Sequence, residues 1–273
     1  MLPGKDKQKR LNNILRKTGK VLIAFSGGVD STFLVYLANK ILPGNVLAVT
    51  AVSETYPARE LKTAKVLARQ IGVRHLVIKT RELENKKFKA NTAERCYFCK
   101  KELFSTLKKI AAKNKIDNVV DAANIDDLKD YRPGSRASRE LGIRHPLQEA
   151  GFTKRNIREI SRRCGLPTWD KPALACLASR VPYGNKIHSK TLDRIDQAEE
   201  FLQKFGLRQL RVRDYGTLAR IEVEPPDFRK ILKNSGKVIR YFKKLGYLYI
   251  TLDLAGYRMG SLNAELPVKT RNS

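Results

Sequence analysis

The run with the most chemistry is Ser26-Gly27-Gly28-Val29-Asp30-Ser31, followed by Thr32. It stands between an apolar run, VLIAF at 21–25, and STFLVYLANKIL at 31–42. These read as a buried strand and a helix with Phe33, Leu34, Leu37 and Ile41 along one face. A phosphate at such a junction meets unbonded backbone N–H groups and the positive end of the helix dipole. Gly27 and Gly28 let the backbone approach oxygen atoms and take positive φ. The hydroxyls of Ser26, Ser31 and Thr32 add donors. Asp30 repels a phosphate, and makes sense as a partner of Mg²⁺ on a pyrophosphate. Neither G-x-x-x-x-G-K-[ST] nor G-x-G-x-x-G occurs, so neither the common P-loop nor a dinucleotide fingerprint applies.

The cysteines form a second group. Cys96 and Cys99 make a C-x-x-C in RCYFCK, just ahead of a predicted helix at 100–114, and Cys176 lies in ACLASR. From spacing alone the pair is a redox couple, half of a metal site or two buried thiols. Three thiolates on a four-iron cube leave one iron open, whereas four including Cys164 would make closed zinc. Cys164 ends a helical pattern beside Ile157 and Ile160 and reads as a small buried residue. His75, His145 and His188 show no metal spacing and read as structural.

Strand signals at 21–25, 45–52, 75–79 and 118–123 alternate with helix signals at 31–42, 57–72 and 100–114. This predicts an α/β fold, an open parallel sheet with helices on both faces and ligands at the carboxyl ends of the strands. After Tyr183 the pattern changes. A helix at 188–206, a hairpin around Tyr215-Gly216, two short helices around 226–245 and a strand at 247–254 predict a smaller C-terminal α+β domain. The expected domains are 1–185 and 186–273.

The 273 residues carry 55 Lys and Arg against 27 Asp and Glu, a net charge of +28. Such a surface seeks anions. The opening MLPGKDKQKR is polar with no apolar run behind it, and no stretch is long enough to span a bilayer, so neither a secretory signal nor a membrane span is expected. Four cysteines in this length are not a disulfide scaffold. A cytoplasmic protein with reduced thiols is expected.

The glycine-rich run resembles the PP-loop of the ATP pyrophosphatases, of adenine nucleotide alpha hydrolase-like fold, which cleave ATP between the α and β phosphates. Across nearly the whole chain, FSGGVDS, VSETYP, RCYFCK, DAANIDDLKDYRPGSRASRELGIRHPL, GLPTWDKPALACLASRVPYG, RQLRVRDYGTLARIEV and GYRMGSLN together resemble the LarE family of sulfur transferases. The resemblance implies that ATP adenylates a carboxylate of a pyridinium dicarboxylate mononucleotide, and that sulfur from sulfide or another donor replaces AMP. Two rounds give the dithio product used in nickel-pincer cofactor assembly for lactate racemase. Members either consume a single cysteine at the position of Cys176 or hold a [4Fe–4S] cluster with that cysteine and a C-x-x-C. The presence of Cys96, Cys99 and Cys176 implies the cluster type.

The resemblance also implies roles for single residues. Ser26 to Thr32 cradle pyrophosphate, with Asp30 toward Mg²⁺. Ser53 lies where adenine and ribose are contacted. Asn124, Asp126 and Asp127 hold Mg²⁺ or ribose, and Arg132 meets a phosphate. Ser179 and Arg180, close to Cys176, orient the substrate carboxylate. Arg211 and Arg213 alternate on a strand and so share a face, suited to a phosphate or carboxylate, with Glu222 bracing them. The DAAN stretch departs from the family's expected glycine-containing turn at 122–123. A homo-oligomer and no membrane partner are expected. The competing readings are a PP-loop tRNA thiolase, for which the net charge argues, an ammonia-using synthetase, and a non-catalytic nucleotide- or metal-binding protein.

Overall fold

A computed structural model describes residues 5–129, 133–173, 175–258 and 260–265. It divides into two compact units, Met1–Glu82 with Cys96–Leu174, and Leu83–Arg95 with Ala175–Ser273.

The first unit contains the helices α1 (Lys5–Thr18), α2 (Val29–Ile41) and α3 (Ala58–Ile71) and the strands β1 (Val21–Ala24), β2 (Val46–Val52) and β3 (Arg74–Lys79). The short helix α4 (Lys86–Lys89) belongs to the second unit. The first unit then continues through α5 (Arg95–Lys113), β4 (Asn118–Val120), α6 (Gly134–Glu140), α7 (Pro146–Glu149) and α8 (Lys154–Arg163). Among the described residues the strands form one parallel sheet in the order β3-β2-β1-β4. This is the α/β fold that the alternating signals predict. The apolar runs become central strands because both sheet faces are covered. Val21, Ile23 and Phe25 pack with α1, α2 and α3 on one face. Leu22 packs with Phe104, Leu107 and Ala111 of α5 on the other.

Two boundaries differ from expectation. Helix α1 has no counterpart among the predicted elements, although Leu11, Ile14 and Leu15 have helical spacing and Leu11 and Leu15 are buried. Helix α5 begins at Arg95, so Cys96 and Cys99 lie inside its first two turns and not ahead of it. Tertiary packing overrides the weak helix propensity of Cys-Tyr-Phe-Cys. The Tyr97 hydroxyl donates to Glu140 Oε2 at 2.8 Å, and the Arg136 guanidinium lies 3.9 Å from the Tyr97 ring centroid.

The second unit holds α9 (Ser189–Gln203), β5 (Leu210–Tyr215), β6 (Leu218–Val223), α10 (Phe228–Lys233), α11 (Ser235–Lys244) and β7 (Tyr249–Leu252). Strands β5 and β6 are antiparallel, as the Tyr215-Gly216 turn predicts, and β7 runs parallel to β6. The division falls after Leu174 rather than at 185, and residues 83–95 join the second unit. Asn91 explains this. Its buried side-chain amide donates to the carbonyls of Val181, Pro182 and Asn185, which pins the 83–95 segment to the 181–185 stretch.

Ile23 is fully buried in the first core. Ile23→Ala is expected to cost about 2–5 kcal/mol, measured as a lower urea midpoint at unchanged slope.

Candidate functional site

Strand order places β2 on one side of β1 and β4 on the other. The chain therefore leaves these neighbouring strands in different directions, and a crevice opens at their carboxyl ends. The segment after β1 carries Ser26 to Thr32, and the segment after β4 carries Asn124, Asp126 and Asp127.

Gly27 has φ +65°, and a Cβ there would lie 3.2 Å from the Cα of Ala64 in α3. Only glycine takes this backbone conformation and this approach together without strain. Gly28 precedes α2 without a capping side chain, so the loop presents the open first turn of a helix. The Ser26 and Ser31 hydroxyls bond each other at 3.0 Å. Tyr56 donates to the Ser26 carbonyl at 2.8 Å, and Lys171 Nζ donates to the Gly27 carbonyl at 3.0 Å and to Glu60 at 2.7 Å. Val29, Ser31 and Thr32 are buried, and Thr32 Oγ1 has no hydrogen-bond partner.

Asp30 is partly buried, and Lys154 Nζ at the start of α8 donates to its Oδ2 at 2.5 Å. Its Oδ1 is buried with no hydrogen-bond partner. Burial pushes the Asp30 carboxyl up, and Asp127 adds to this, against the opposing Lys154 charge. An orphaned carboxylate oxygen beside a second carboxylate fits a hard divalent cation. Asn124 is buried and accepts the Asp126 N–H, while Asp127 accepts the Asn124 N–H at 2.9 Å. Asp126 Oδ2 accepts the Lys154 N–H at 2.8 Å. Ser53, directly after β2, bonds the Thr55 hydroxyl at 2.9 Å and accepts the Thr55 N–H. Arg132 lies outside the described residues.

Cys96 and Cys99 stand at i and i+3 on α5, on one face. Cys96 is exposed, Cys99 partly so, and none of the cysteines is in a disulfide. Among the described residues no three His, Cys, Asp or Glu side chains are grouped to hold a metal ion. Cys164 is partly buried and packs against the first core.

Nearby, Asp121 at the end of β4 accepts from His145 Nδ1 at 2.5 Å, and His145 Nε2 is 3.2 Å from the Ser138 hydroxyl. Ser138 is buried and donates to the Ser135 carbonyl, so this trio ties α6 to the sheet. Burial alone would raise the Asp121 carboxyl. The His145 hydrogen bond and the Lys100 charge outweigh it and hold the group at about 2.

In the second unit, Cys176 precedes a 3₁₀ turn, Leu177–Arg180. Arg180 is buried. It forms a bidentate pair with Glu199 at 2.8 and 2.9 Å and donates to the carbonyls of Ala175 and Cys176 and to Ser179 Oγ. Its donors are thus spent on the protein and not directed at a ligand. Arg213 pairs bidentately with Glu222 at 3.0 and 2.7 Å and donates to the Ser179 carbonyl at 2.6 Å. Two arginines therefore hold the Cys176–Arg180 turn by its carbonyls. Glu222 faces Arg211 across the strands and also receives Arg220. Arg211 donates to the Leu210 carbonyl and lies over the Tyr257 ring. Burial and then the Arg180 charge push its guanidinium down to about 10, still a cation at neutral pH. Guanidinium groups outnumber carboxylates here, which suits an anionic ligand.

A family model described as asparagine synthase matches residues 9–105. An uncharacterized protein of Synechocystis sp. is 43% identical over 262 residues, which is 95% of this chain and 98% of the relative. An uncharacterized protein of Methanocaldococcus jannaschii is 34% identical over 91% of this chain and 96% of its own. The pyridinium-3,5-bisthiocarboxylic acid mononucleotide synthase of Lactiplantibacillus plantarum is 36% identical over 261 residues, 95% of each chain. The chain belongs to the LarE family of this synthase. No described helix of this LarE-family chain is long and apolar enough to cross a membrane.

Lys154, Lys171, Glu199 and the Asp121–His145 pair were not among the residues singled out from the sequence. Lys171, in the TWDKP stretch, and Asp121 and His145, near the two ends of the DAAN to RHPL stretch, fall within motifs that carry the resemblance, whereas Lys154 and Glu199 do not.

Three measurements follow from the ion pairs. A carboxyl held below its unfolded value stabilises the fold above about pH 4 and loses that contribution as pH falls toward its folded value. Between about pH 4 and pH 2, Asp121 is expected to account for roughly 2 kcal/mol of lost stability. Asp121→Asn should lack that loss in urea titrations at stepped pH. Glu199→Gln strands the Arg180 cation and is expected to cost about 3–5 kcal/mol. Removing the exposed Arg155–Glu159 pair should cost under about 1 kcal/mol.

Proposed function

We propose that the protein is an ATP-dependent sulfurtransferase acting on a pyridinium dicarboxylate mononucleotide. A substrate carboxylate oxygen attacks the α-phosphorus of ATP and pyrophosphate leaves. A sulfur nucleophile then attacks the acyl carbon, AMP leaves with the C–O oxygen, and a thiocarboxylate remains. Repetition on the second carboxylate gives the bisthiocarboxylate. The observation that carries this reading is the match to the synthase over 95% of each chain. The glycine-rich loop at the β1–β4 crevice supports it.

In this reading Ser26 to Thr32 receive the pyrophosphate at the open end of α2. Asp30, with Asp127, holds Mg²⁺, which supplies charge neutralisation on the phosphates. Ser53 and Asn124 face the nucleoside, and Arg132 meets a phosphate. Arg211 and Arg213, braced by Glu222, attract the mononucleotide's anionic groups. Ser179 contributes its hydroxyl, and Arg180 acts by fixing the backbone around Cys176. We assign Cys96, Cys99 and Cys176 to the sulfur step, as thiolates for a [4Fe–4S] cluster that supplies a sulfide-holding site when bound. This assignment rests on the sequence motifs. Such chemistry suits the cytoplasm, where thiols stay reduced.

The test supplies Mg²⁺, ATP and pyridinium-3,5-biscarboxylic acid mononucleotide and reads pyrophosphate. Release is expected to need the mononucleotide and to fall about a hundredfold or more in Asp30→Asn. Release that is indifferent to the mononucleotide would refute the substrate assignment. Anaerobically prepared protein is expected to carry iron and acid-labile sulfide that Cys176→Ala lacks. Iron-free reconstituted protein whose mass drops by one H₂S on turnover would make Cys176 itself the sulfur source.

A further inference from the structure

Lys154 is bound at both ends of its residue to the acidic groups around the crevice. Its backbone N–H donates to Asp126, in the segment after β4. Its ammonium donates to Asp30, in the segment after β1. Its position is set locally by a capping box, in which Thr153 and Asn156 satisfy each other's backbone at the start of α8. The Ile125 N–H, donating to the Phe152 carbonyl at 2.9 Å, ties the two segments further. The reach of the side chain is therefore centred on Asp30.

The charge in this crevice has to be balanced. Asp30, Asp126 and Asp127 are three carboxylates where an anionic nucleotide is to bind, and Lys154 is the ammonium bonded to Asp30. Without a cation the carboxylates would repel both one another and the phosphates. With the ammonium on Oδ2, the other oxygen, Oδ1, is left buried and unpartnered. A divalent cation seated there would stand close to the ammonium and repel it. The nearest gain for a displaced ammonium is a phosphate oxygen of the nucleotide that brings the cation.

We propose that Lys154 is a resident placeholder cation. It holds the Asp30 carboxylate aimed by its bond to Oδ2 in the nucleotide-free protein, and passes from Asp30 to a pyrophosphate oxygen when Mg²⁺ and nucleotide bind together. This deepens the nucleotide-site reading above and rests on it. One consequence is ordered loading. The metal alone competes with Lys154, whereas the metal–nucleotide pair gives the ammonium a new partner.

The experiment uses the full chain with Mn²⁺ followed by electron paramagnetic resonance, and with α,β-methylene-ATP, which cannot be cleaved at the α–β bond. In Lys154→Met, Mn²⁺ without nucleotide is expected to bind about tenfold more tightly, and the analogue with Mn²⁺ about tenfold more weakly, each a shift of about 1.4 kcal/mol. Lys154→Arg should restore analogue affinity. In an Asp30→Asn background, Lys154→Met should leave Mn²⁺ affinity unchanged. The wild-type protein gives an independent reading through acetylation of lysines, followed by peptide mass. Labelling of Lys154 should quicken with Mg²⁺ alone and slow again when the analogue is added. If either affinity stays where it was in Lys154→Met, or Lys154 labelling does not respond, the placeholder role is overturned. If wild-type protein binds neither Mn²⁺ nor the analogue, the nucleotide-site reading itself fails. If it binds both and Lys154→Met changes nothing, the placeholder role fails alone.

Discussion

The crevice at the carboxyl ends of β1 and β4 is the constraint from which the first unit's chemistry follows. Strand β1 is central, hydrogen-bonded to β2 on one side and β4 on the other. No crossover joins its two neighbours over the strand ends. The segment after β1 must therefore turn directly into α2, and Gly27, pressed against Ala64 of α3, makes the turn tight enough. The segment after β4 must return to the same edge, which brings carboxylates within reach of the helix start. Helix α8 then closes the arrangement with Lys154. The glycines, the acidic residues and the lysine each answer to the same gap in the sheet.

The second unit solves a different problem, which is to hold an irregular turn still. The Cys176–Arg180 segment has little regular backbone bonding of its own. Its carbonyls are taken by Arg180 and Arg213, and those arginines are anchored by the buried carboxylates Glu199 and Glu222. Buried ion pairs gain little net stability, because desolvation offsets their attraction. Their value here is geometric. A bidentate pair fixes the direction of a guanidinium, and the guanidinium fixes a carbonyl.

What was legible in the sequence is what depends on near neighbours. The parallel strands were visible as short apolar runs, because burial on both faces needs apolar residues at every position. The loop at 26–32 was visible because a phosphate-binding turn needs glycine, hydroxyl and helix start in sequence. The hairpin was visible in Tyr215-Gly216. Glu222 was legible as a brace for the arginines of the paired strand, but its bidentate partner was not, since the register sets it opposite Arg211 and the pair it makes is the diagonal one with Arg213. What escaped depends on partners far along the chain. Lys154 reaches Asp30 across 124 residues, and Lys171 reaches Gly27 across 144. Neither lysine is unusual in so basic a chain. Arg180 read as a ligand-facing cation, since spacing to Cys176 says nothing about Glu199. The C-x-x-C read as preceding its helix, because propensity alone does not count the grip of Glu140 on Tyr97.

The placement of β4 also bears on how the chain reaches its fold. Strands β1 and β2 are joined by a single local crossover, but β1 meets β4 only after most of the first unit has been traversed. The Asn118 side chain bonds the Thr18 carbonyl 100 residues back. Such pairing carries a large loop-closure entropy and is intrinsically slow. During synthesis β1 stands with one edge unpaired until residue 120 has emerged. A nucleotide therefore has no crevice to enter before β4 docks. It can stabilise the finished unit, but it cannot help to nucleate it.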